Sequence, residues 1–166
     1  MIYIIGTIIL ILIIIAAIVF LKYYKLKDIR TSIDMCAEKI DELLEKKLEI
    51  VNELLKNIKK DSIKKGFSYD ENASLYDRED ALFNVAFEIN KYVKETGNKK
   101  VSKNMEELST LEENLDGLKD FYNTNVLNYN EIFLKKPFNK IFKLLKFEQF
   151  KSFKIRKLQE YEIFKN

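Results

Sequence analysis

The fold class follows from the stretch Ile2–Leu21, IYIIGTIILILIIIAAIVFL, which contains no charged side chain. Fifteen of its residues are Ile, Leu, Val or Phe, and no polar face interrupts them. At ~1.5 Å per residue, a helix of this length spans roughly 30 Å, which is the thickness of the hydrocarbon core of a bilayer. Its insertion is favourable by on the order of 5 to 9 kcal/mol. We therefore predict a transmembrane anchor over residues 1–24.

A cleaved signal peptide is the alternative interpretation of this stretch. Signal peptides have a basic start, an apolar run of about 7 to 15 residues and a small-residue cleavage site. Here no basic residue precedes the run, the run is longer, and no Ala-x-Ala pattern follows it. A retained anchor is therefore the favoured prediction.

Orientation is predicted from the basic residues that follow the run. Lys22, Lys25, Lys27 and Arg30 are opposed only by Asp28. Because basic residues that flank a span stay on the cytoplasmic side, the N-terminus is predicted to face outward. The expected location is the cell (plasma) membrane, with a single span and the remaining chain in the cytoplasm.

Composition indicates the class of the remaining chain. Its 166 residues include only four Gly and one Pro, whereas Leu, Ile, Lys and Glu are frequent. This balance favours long helices over sheets. We predict an all-α protein, in which the N-terminal transmembrane helix is followed by an antiparallel helix bundle of three long helices and a shorter fourth.

Apolar residues recur at steps of three and four behind the anchor, as on one face of a helix. The first stripe comprises Leu26, Ile29, Ile33, Cys36, Ile40, Leu43, Leu44, Leu48, Val51, Leu55 and Ile58. No Gly or Pro lies between Leu21 and Lys60, so the anchor helix is predicted to continue into this stripe. Residues 61–72 are predicted as a loop, because periodicity lapses around Gly66.

Three further segments complete the predicted bundle over residues 25–146. The second stripe comprises Leu75, Leu82, Val85, Ile89 and Tyr92, and ends at Gly97. The third comprises Leu108, Leu111, Leu115, Leu118, Tyr122, Tyr129 and Ile132, with Ser102 and Asn104 as candidate N-caps and Lys136 as its end. The fourth begins at Pro137 and places Phe138, Ile141, Phe142 and Leu145 on one face. Short links predict that sequence neighbours run antiparallel.

The fourth stripe fails at Phe147, which predicts a turn near Lys146. Residues 147–166 are then predicted as a separate basic, amphipathic tail that carries Phe150, Phe153, Leu158 and Tyr161. From Lys135 to Asn166 the chain has ten Lys or Arg against three Glu. Basic residues interleaved with Phe and Leu are typical of a helix that lies on an anionic membrane surface. Core packing with solvated lysines is the alternative, and it is favoured for residues 137–145.

Three ordered motifs carry a family resemblance. The first is Ile40-Asp41, Leu44, Lys46-Lys47, Glu49, Ile50-Val51 and Leu54, the second is Tyr122-Asn123, Val126 and Tyr129-Asn130, and the third is Pro137, Asn139, Ile141 and Phe147. Together they resemble the LemA family of bacterial membrane-anchored proteins. The chain departs from that pattern at Ala37, Asn52, Lys136 and Lys146. The resemblance implies an outward N-terminus and a cytoplasmic antiparallel bundle, and it implies no chemistry.

Tyr122 and Tyr129 lie two helical turns apart and therefore share a face, with Asn123 and Asn130 beside them. A buried tyrosine needs a partner for its hydroxyl, which an Asn of a facing helix or a carboxylate could supply. The motif is interpreted first as a device that sets helix register and second as a binding site.

The residues predict no catalytic, cofactor-binding or metal-binding site, and the chain is not predicted to be an enzyme. The sequence has no histidine, which removes the commonest general base and metal ligand. Carboxylate pairs such as Asp41 with Glu45 and Glu112 with Glu113 are interpreted as solvated helix faces. Cys36 lies on the apolar stripe and is interpreted as a core residue.

The predicted function is that of a membrane-anchored scaffold or adaptor that acts through helix–helix contacts with an unidentified protein partner. The alternative is a lipid-binding or membrane-remodelling protein that uses residues 147–166 to contact anionic lipid. Nucleic acid is not expected as a partner, because no nucleic-acid-reading module is present. A small-molecule substrate is not expected either, because the sequence has no catalytic or nucleotide-binding motif.

Overall fold

The computed structural model describes residues 2–58, 60–97 and 101–154. Over these residues the chain is helical and contains no strand. The helices are α1 (Ile2–Asn57), α2 (Asp61–Gly66), α3 (Leu75–Thr96), α4 (Ser102–Leu134) and α5 (Phe138–Leu144). The all-α class is thereby confirmed.

Helix α1 is 56 residues long and runs without a break from the apolar stretch into the first apolar stripe, as predicted. Nearly every side chain from Tyr3 to Leu21 is exposed. Leu26, Ile33 and Ile40, further along the same helix, are buried. Among the described residues, α1 is the one helix long and apolar enough to cross a membrane.

Helix α2 corrects the prediction that residues 61–72 form only a loop. Its six residues include Ile63, whose side chain is buried. The backbone N–H of Ile63 donates to the carbonyl of Lys60 at 3.2 Å. A single buried side chain holds this turn of helix, and one residue is too few to produce a periodic signal.

Both ends of α3 are fixed by local chemistry. The Ser74 hydroxyl accepts from the Asp77 backbone N–H at 3.3 Å and donates to the Asp77 carboxylate at 2.6 Å. Ser74 is therefore the N-cap, a role that a Ser three residues before an acidic side chain often has. Gly97 ends the helix with φ 62° and ψ 29°, which confirms the predicted glycine terminus.

Helix α4 ends at Leu134, two residues before the predicted Lys136, and begins at Ser102. Asn104 is not an N-cap, because it lies inside the first turn and its side-chain Nδ2 donates to Glu53 Oε2 at 2.6 Å. Pro137 precedes α5 as its N-cap, and Phe138 is the first helical residue.

The predicted turn near Lys146 is confirmed. Lys146 has φ 60°, and its N–H donates to the Lys143 carbonyl at 3.0 Å. The N–H of Phe147 reaches back to the Phe142 carbonyl, also at 3.0 Å, which completes a Schellman motif. Leu145 is exposed rather than packed with Phe142, so its predicted place on the core face is wrong. The Leu145 N–H still donates to the Ile141 carbonyl at 3.0 Å, so Leu145 keeps its helical position, but its side chain lies beyond the part of that face which the described fold covers.

The predicted amphipathic tail is corrected in its described part. Residues 147–154 form no helix, and Phe147 and Phe153 are buried. Helical periodicity does not apply to residues 147–154, called here the C-terminal segment, because they have no regular secondary structure. Leu158 and Tyr161, also assigned to the tail, lie outside the described residues.

The described chain divides into two compact units. One contains residues 2–35 and 122–152, and the other contains residues 36–121 with 153 and 154. The first unit holds the apolar stretch, the second half of the third predicted stripe and α5. The second unit holds α2, α3 and the buried charges described next.

Candidate functional site

Four charged side chains are buried in the second unit. They are Lys47 of α1, Glu79 of α3, and Glu112 and Lys119 of α4. Charged residues are almost never fully buried unless they are paired. This cluster, called here the core charge cluster, is therefore the most unusual chemistry in the described part of the chain.

The helical spacing of apolar residues puts these charges inside. Lys47 lies between Leu44 and Val51 at steps of three and four residues, and all three are buried. Glu112 and Lys119 occupy the same kind of position in α4, on either side of Leu115. The interpretation of Glu112 as part of a solvated face is wrong, whereas its neighbour Glu113 is exposed.

Two ion pairs join the cluster across helices. Lys47 Nζ lies 2.5 Å from Glu112 Oε1, and Lys119 Nζ lies 2.9 Å from Glu79 Oε1. Lys119 also contacts Asp116, one turn earlier on its own helix, at 3.0 Å. Each lysine thus has a carboxylate at hydrogen-bond distance or closer, which is the condition for burying an ammonium group.

The pKa values of the two lysines are shifted in opposite directions. Burial lowers the pKa of Lys47 and outweighs the opposing attraction of Glu112 and then Glu79. Burial also acts to lower the pKa of Lys119, but the charges and hydrogen bonds of Glu79 and then Asp116 raise the pKa overall. Among the described residues, Lys119 contacts two carboxylates, those of Glu79 and Asp116, whereas Lys47 contacts that of Glu112 and feels Glu79 from further away.

Lys47 is the less well satisfied of the two. Its Nζ approaches the Phe83 ring, 5.6 Å from the centroid. Beyond the ion pair, neither Lys47 Nζ nor the Glu112 oxygens make a hydrogen bond of good geometry to any described residue. The pair is therefore held by charge attraction and the quadrupole of the ring rather than by a full set of hydrogen bonds.

The Tyr-Asn motif of α4 lies in the first unit and has a role that the sequence did not reveal. Asn130 Nδ2 donates to the Phe150 carbonyl at 2.9 Å, and the Phe150 N–H donates to Asn130 Oδ1 at 3.2 Å. The Asn130 side chain thus satisfies both the backbone N–H and the carbonyl of Phe150, in the C-terminal segment (residues 147–154). A side-chain amide offers this donor and acceptor pair in one plane, which matches a peptide group.

Tyr129 packs beneath that segment and is fully buried. Its ring lies 4.9 Å from the Phe150 ring at 82° and stacks with Phe133 at 6.2 Å. Its hydroxyl makes no hydrogen bond with the described residues, so neither an Asn of a facing helix nor a carboxylate among them is the expected hydroxyl partner. Burial raises the pKa of Tyr129; Arg30 acts to lower it, and Asp34 and Glu148 add to the rise.

Cys36 is buried on the first stripe, as predicted for a core residue. Its thiol donates to the Leu118 carbonyl at 3.3 Å. Within the described ranges, no three His, Cys, Asp or Glu residues are placed to hold a metal ion. A cleft of about 510 Å³ lies between α2 and α3, lined by Ile63, Phe67 and Val85 together with Glu88 and Lys60.

Comparison of the chain with protein-family models, curated proteins and solved structures found no match. The resemblance to the LemA family therefore continues to rest on the three motifs alone.

Proposed function

We propose that this protein is a membrane-anchored helical scaffold that holds a protein partner at the cytoplasmic face through helix–helix contacts. The observation that carries the proposal is the division of α1. Residues 3–21 expose an apolar surface that water solvates poorly, whereas Leu26, Ile33 and Ile40 of the same helix are core residues. A helix built in this way joins a bilayer span directly to a packed domain. Membership of the LemA family is part of the same proposal.

The proposal includes a bundle in which α1 and α4 run antiparallel in the second unit. Three contacts support it: Cys36 with Leu118, Lys47 with Glu112, and Glu53 with Asn104. Residue numbers rise along α1 while they fall along α4, as in an antiparallel pair.

The contacts between α1 and α3 indicate that these two helices run parallel. Asp41 pairs with Arg78 at 2.6 Å, and Lys47 approaches Phe83, so the residue numbers rise together. We therefore place α1 and α3 parallel, with α2 and its flanking loops returning the chain. The short-link rule that predicts antiparallel neighbours fails in this arrangement because the connection is long enough to run back along the helices.

Orientation of the proposed span is tested by labelling. The single cysteine, Cys36, is replaced by Ala, and a new cysteine is placed at the exposed Glu71. A membrane-impermeant maleimide should label this variant only after the cells are permeabilised. Labelling in intact cells would contradict the cytoplasmic placement, and extraction of the protein by alkaline carbonate would contradict the span itself.

Scaffold activity is tested at Leu127, which is 66% exposed on α4 in the first unit. A photo-crosslinking residue there should join the protein to another chain in native membranes. The matched control is Asp120 on the same helix, which is also exposed but polar. Absence of any crosslink at Leu127, or equal crosslinking at both positions, would contradict recognition through apolar helix contacts.

Lipid binding by the tail is the less supported function. Phe147 and Phe153 are buried, and Phe150 is held to Asn130 by two hydrogen bonds. The phenylalanines of the described tail are thus already engaged within the protein. No catalytic role enters the proposal, because the core charges are enclosed within the second unit and are paired with one another.

A further inference from the structure

The turn from α4 into α5 carries an unusual surface, residues 134–146, called here the lysine corner. Five lysines are exposed on it, and it contains no acidic residue: Lys135, Lys136, Lys140, Lys143 and Lys146. Three leucines are exposed among them, with Leu134 at 50%, Leu144 at 85% and Leu145 at 48%. Exposed apolar side chains that are grouped together and rimmed by charged residues are typical of an interaction surface.

Contacts within the first unit place this corner beside the end of the apolar run. Lys22, the residue directly after Leu21, lies with its Nζ 5.4 Å from the centroid of the Phe138 ring. The Tyr23 ring is 5.6 Å from the ring of Phe147, the residue that follows the corner. A cleft between α1 and α4 of about 480 Å³ is lined by Lys22 and Lys25 on one side and by Lys135 and the acidic Glu131 on the other.

A bilayer surface suits both features of the corner. Leucines placed at the boundary between headgroups and acyl chains leave water, and lysines around them reach anionic phosphates. Each basic residue near an anionic surface raises the partition constant roughly fivefold. Because the corner is tied to α1 at Lys22 and Tyr23, the surface would be present at high effective concentration.

We propose that the lysine corner is a second membrane contact, in which Leu144 and Leu145 enter the interface and the five lysines bind anionic phospholipid. The inference rests on the proposed span of residues 3–21. It differs from lipid binding by residues 147–166, because it places the contact on α5 and its flanking turns. Its occupant is the surface of the bilayer that the same chain spans.

The absence of tryptophan from the sequence gives a direct test. The variant Leu144→Trp carries the only tryptophan of the chain. The matched control is Leu127→Trp, which changes another exposed leucine, about two turns before the corner on α4. The full chain is reconstituted into vesicles of phosphatidylcholine alone or mixed equally with phosphatidylglycerol, each with dibrominated acyl chains as quencher. Leu144→Trp should be quenched and blue-shifted, more strongly with phosphatidylglycerol, whereas Leu127→Trp should be unaffected.

Charge reversal completes the test. In the Leu144→Trp background, Lys140→Glu with Lys143→Glu should reduce quenching in the mixed bilayer to the level of phosphatidylcholine alone. Quenching that equals the Leu127→Trp control in both bilayers would overturn the inference, as would quenching that ignores both lipid charge and charge reversal. Alkaline extraction of the same vesicles separates the two proposals. If the protein stays in the membrane while Leu144→Trp is unquenched, only the lysine corner fails; if it is extracted, the proposed span fails.

Discussion

Lys47 Nζ lies 2.5 Å from Glu112 Oε1, and the two side chains are 0% and 3% exposed. This ion pair joins α1 to α4 on a face that is largely apolar and that also carries Lys119. Removing water from two charges is costly, and a single contact returns only part of that cost. The pair therefore specifies which helix faces meet rather than adding greatly to stability.

A mutant cycle tests this interpretation of the ion pair. Glu112→Leu alone should destabilise the protein by about 3 to 5 kcal/mol, because it leaves the Lys47 ammonium buried without a partner. Adding Lys47→Met should recover that loss, since two apolar side chains fill the same space. Urea unfolding of the full chain in detergent micelles measures both. Glu113→Leu, on the exposed side, should change stability by less than about 0.5 kcal/mol. A double variant as unstable as the single one would refute the argument.

Alkaline pH should affect the two lysines of the core charge cluster oppositely. In the folded state the pKa of Lys119 is raised above 10.5. The stabilisation that its charge gives the folded protein is therefore complete below pH 10.5 and is lost as the pH rises through the folded pKa. The folded pKa of Lys47 is lowered below 10.5, so the unfolded state holds more protons in that window and stability rises with pH there.

The measurement is the free energy of unfolding of the wild type minus that of Lys119→Met or Lys47→Met at each pH. The difference for Lys119 should shrink above pH 10.5, and that for Lys47 should grow on approaching pH 10.5 from below. Parallel pH profiles for the two variants would contradict the opposite shifts.

Tyr129 should tolerate loss of its hydroxyl. An unsatisfied buried hydroxyl costs about 1 to 3 kcal/mol, so Tyr129→Phe should raise stability by about 1 kcal/mol. The ring contacts with Phe133 and Phe150 are preserved in this variant. Thermal unfolding followed by circular dichroism measures the change. A clear loss of stability would show that the hydroxyl has a partner.

Asn130 should hold Phe150 and the C-terminal segment (residues 147–154) against α4. Asn130→Ala removes two hydrogen bonds to Phe150 and should cost about 1 to 3 kcal/mol. Amide hydrogen exchange at Phe150 should accelerate in this variant, because its N–H loses the acceptor. The control is Asn128→Ala, an exposed position on the same helix. Equal exchange in the two variants would show that the segment is held by its ring contacts alone.

Lys146 occupies a conformation that favours glycine, with φ 60°. Lys146→Gly should therefore raise stability by about 0.5 to 1 kcal/mol, because the side chain no longer crowds the backbone. Lys140→Gly, inside α5, should instead lower stability by about 1 kcal/mol. Thermal unfolding of both variants checks the opposite signs. A loss of stability in both would show that the turn is not strained by its side chain.

The features of this protein that depend on near neighbours can be predicted from its sequence. The apolar run from Ile2 to Leu21, its continuation into one long helix, and the glycine terminus at Gly97 all follow from residues within a few turns of each other. The turn at Lys146 can be predicted in the same way, because Phe147 no longer falls on the apolar face of the preceding helix. For the buried charges the signal was present, since Lys47 and Glu112 lie in register with apolar residues, but spacing alone does not say whether a charge finds a partner.

The features that depend on residues distant in the chain could not be predicted from local spacing and follow from the three-dimensional fold. The ion pair of Lys47 with Glu112 joins residues far apart in the chain, and Ile63 can hold α2 only because other elements bury it. The C-terminal segment, residues 147–154, is not a helix, because Asn130 and Tyr129 hold its Phe150 through two hydrogen bonds and a ring contact. Local periodicity reports which face is apolar, whereas burial and pairing are set by what the fold brings against that face.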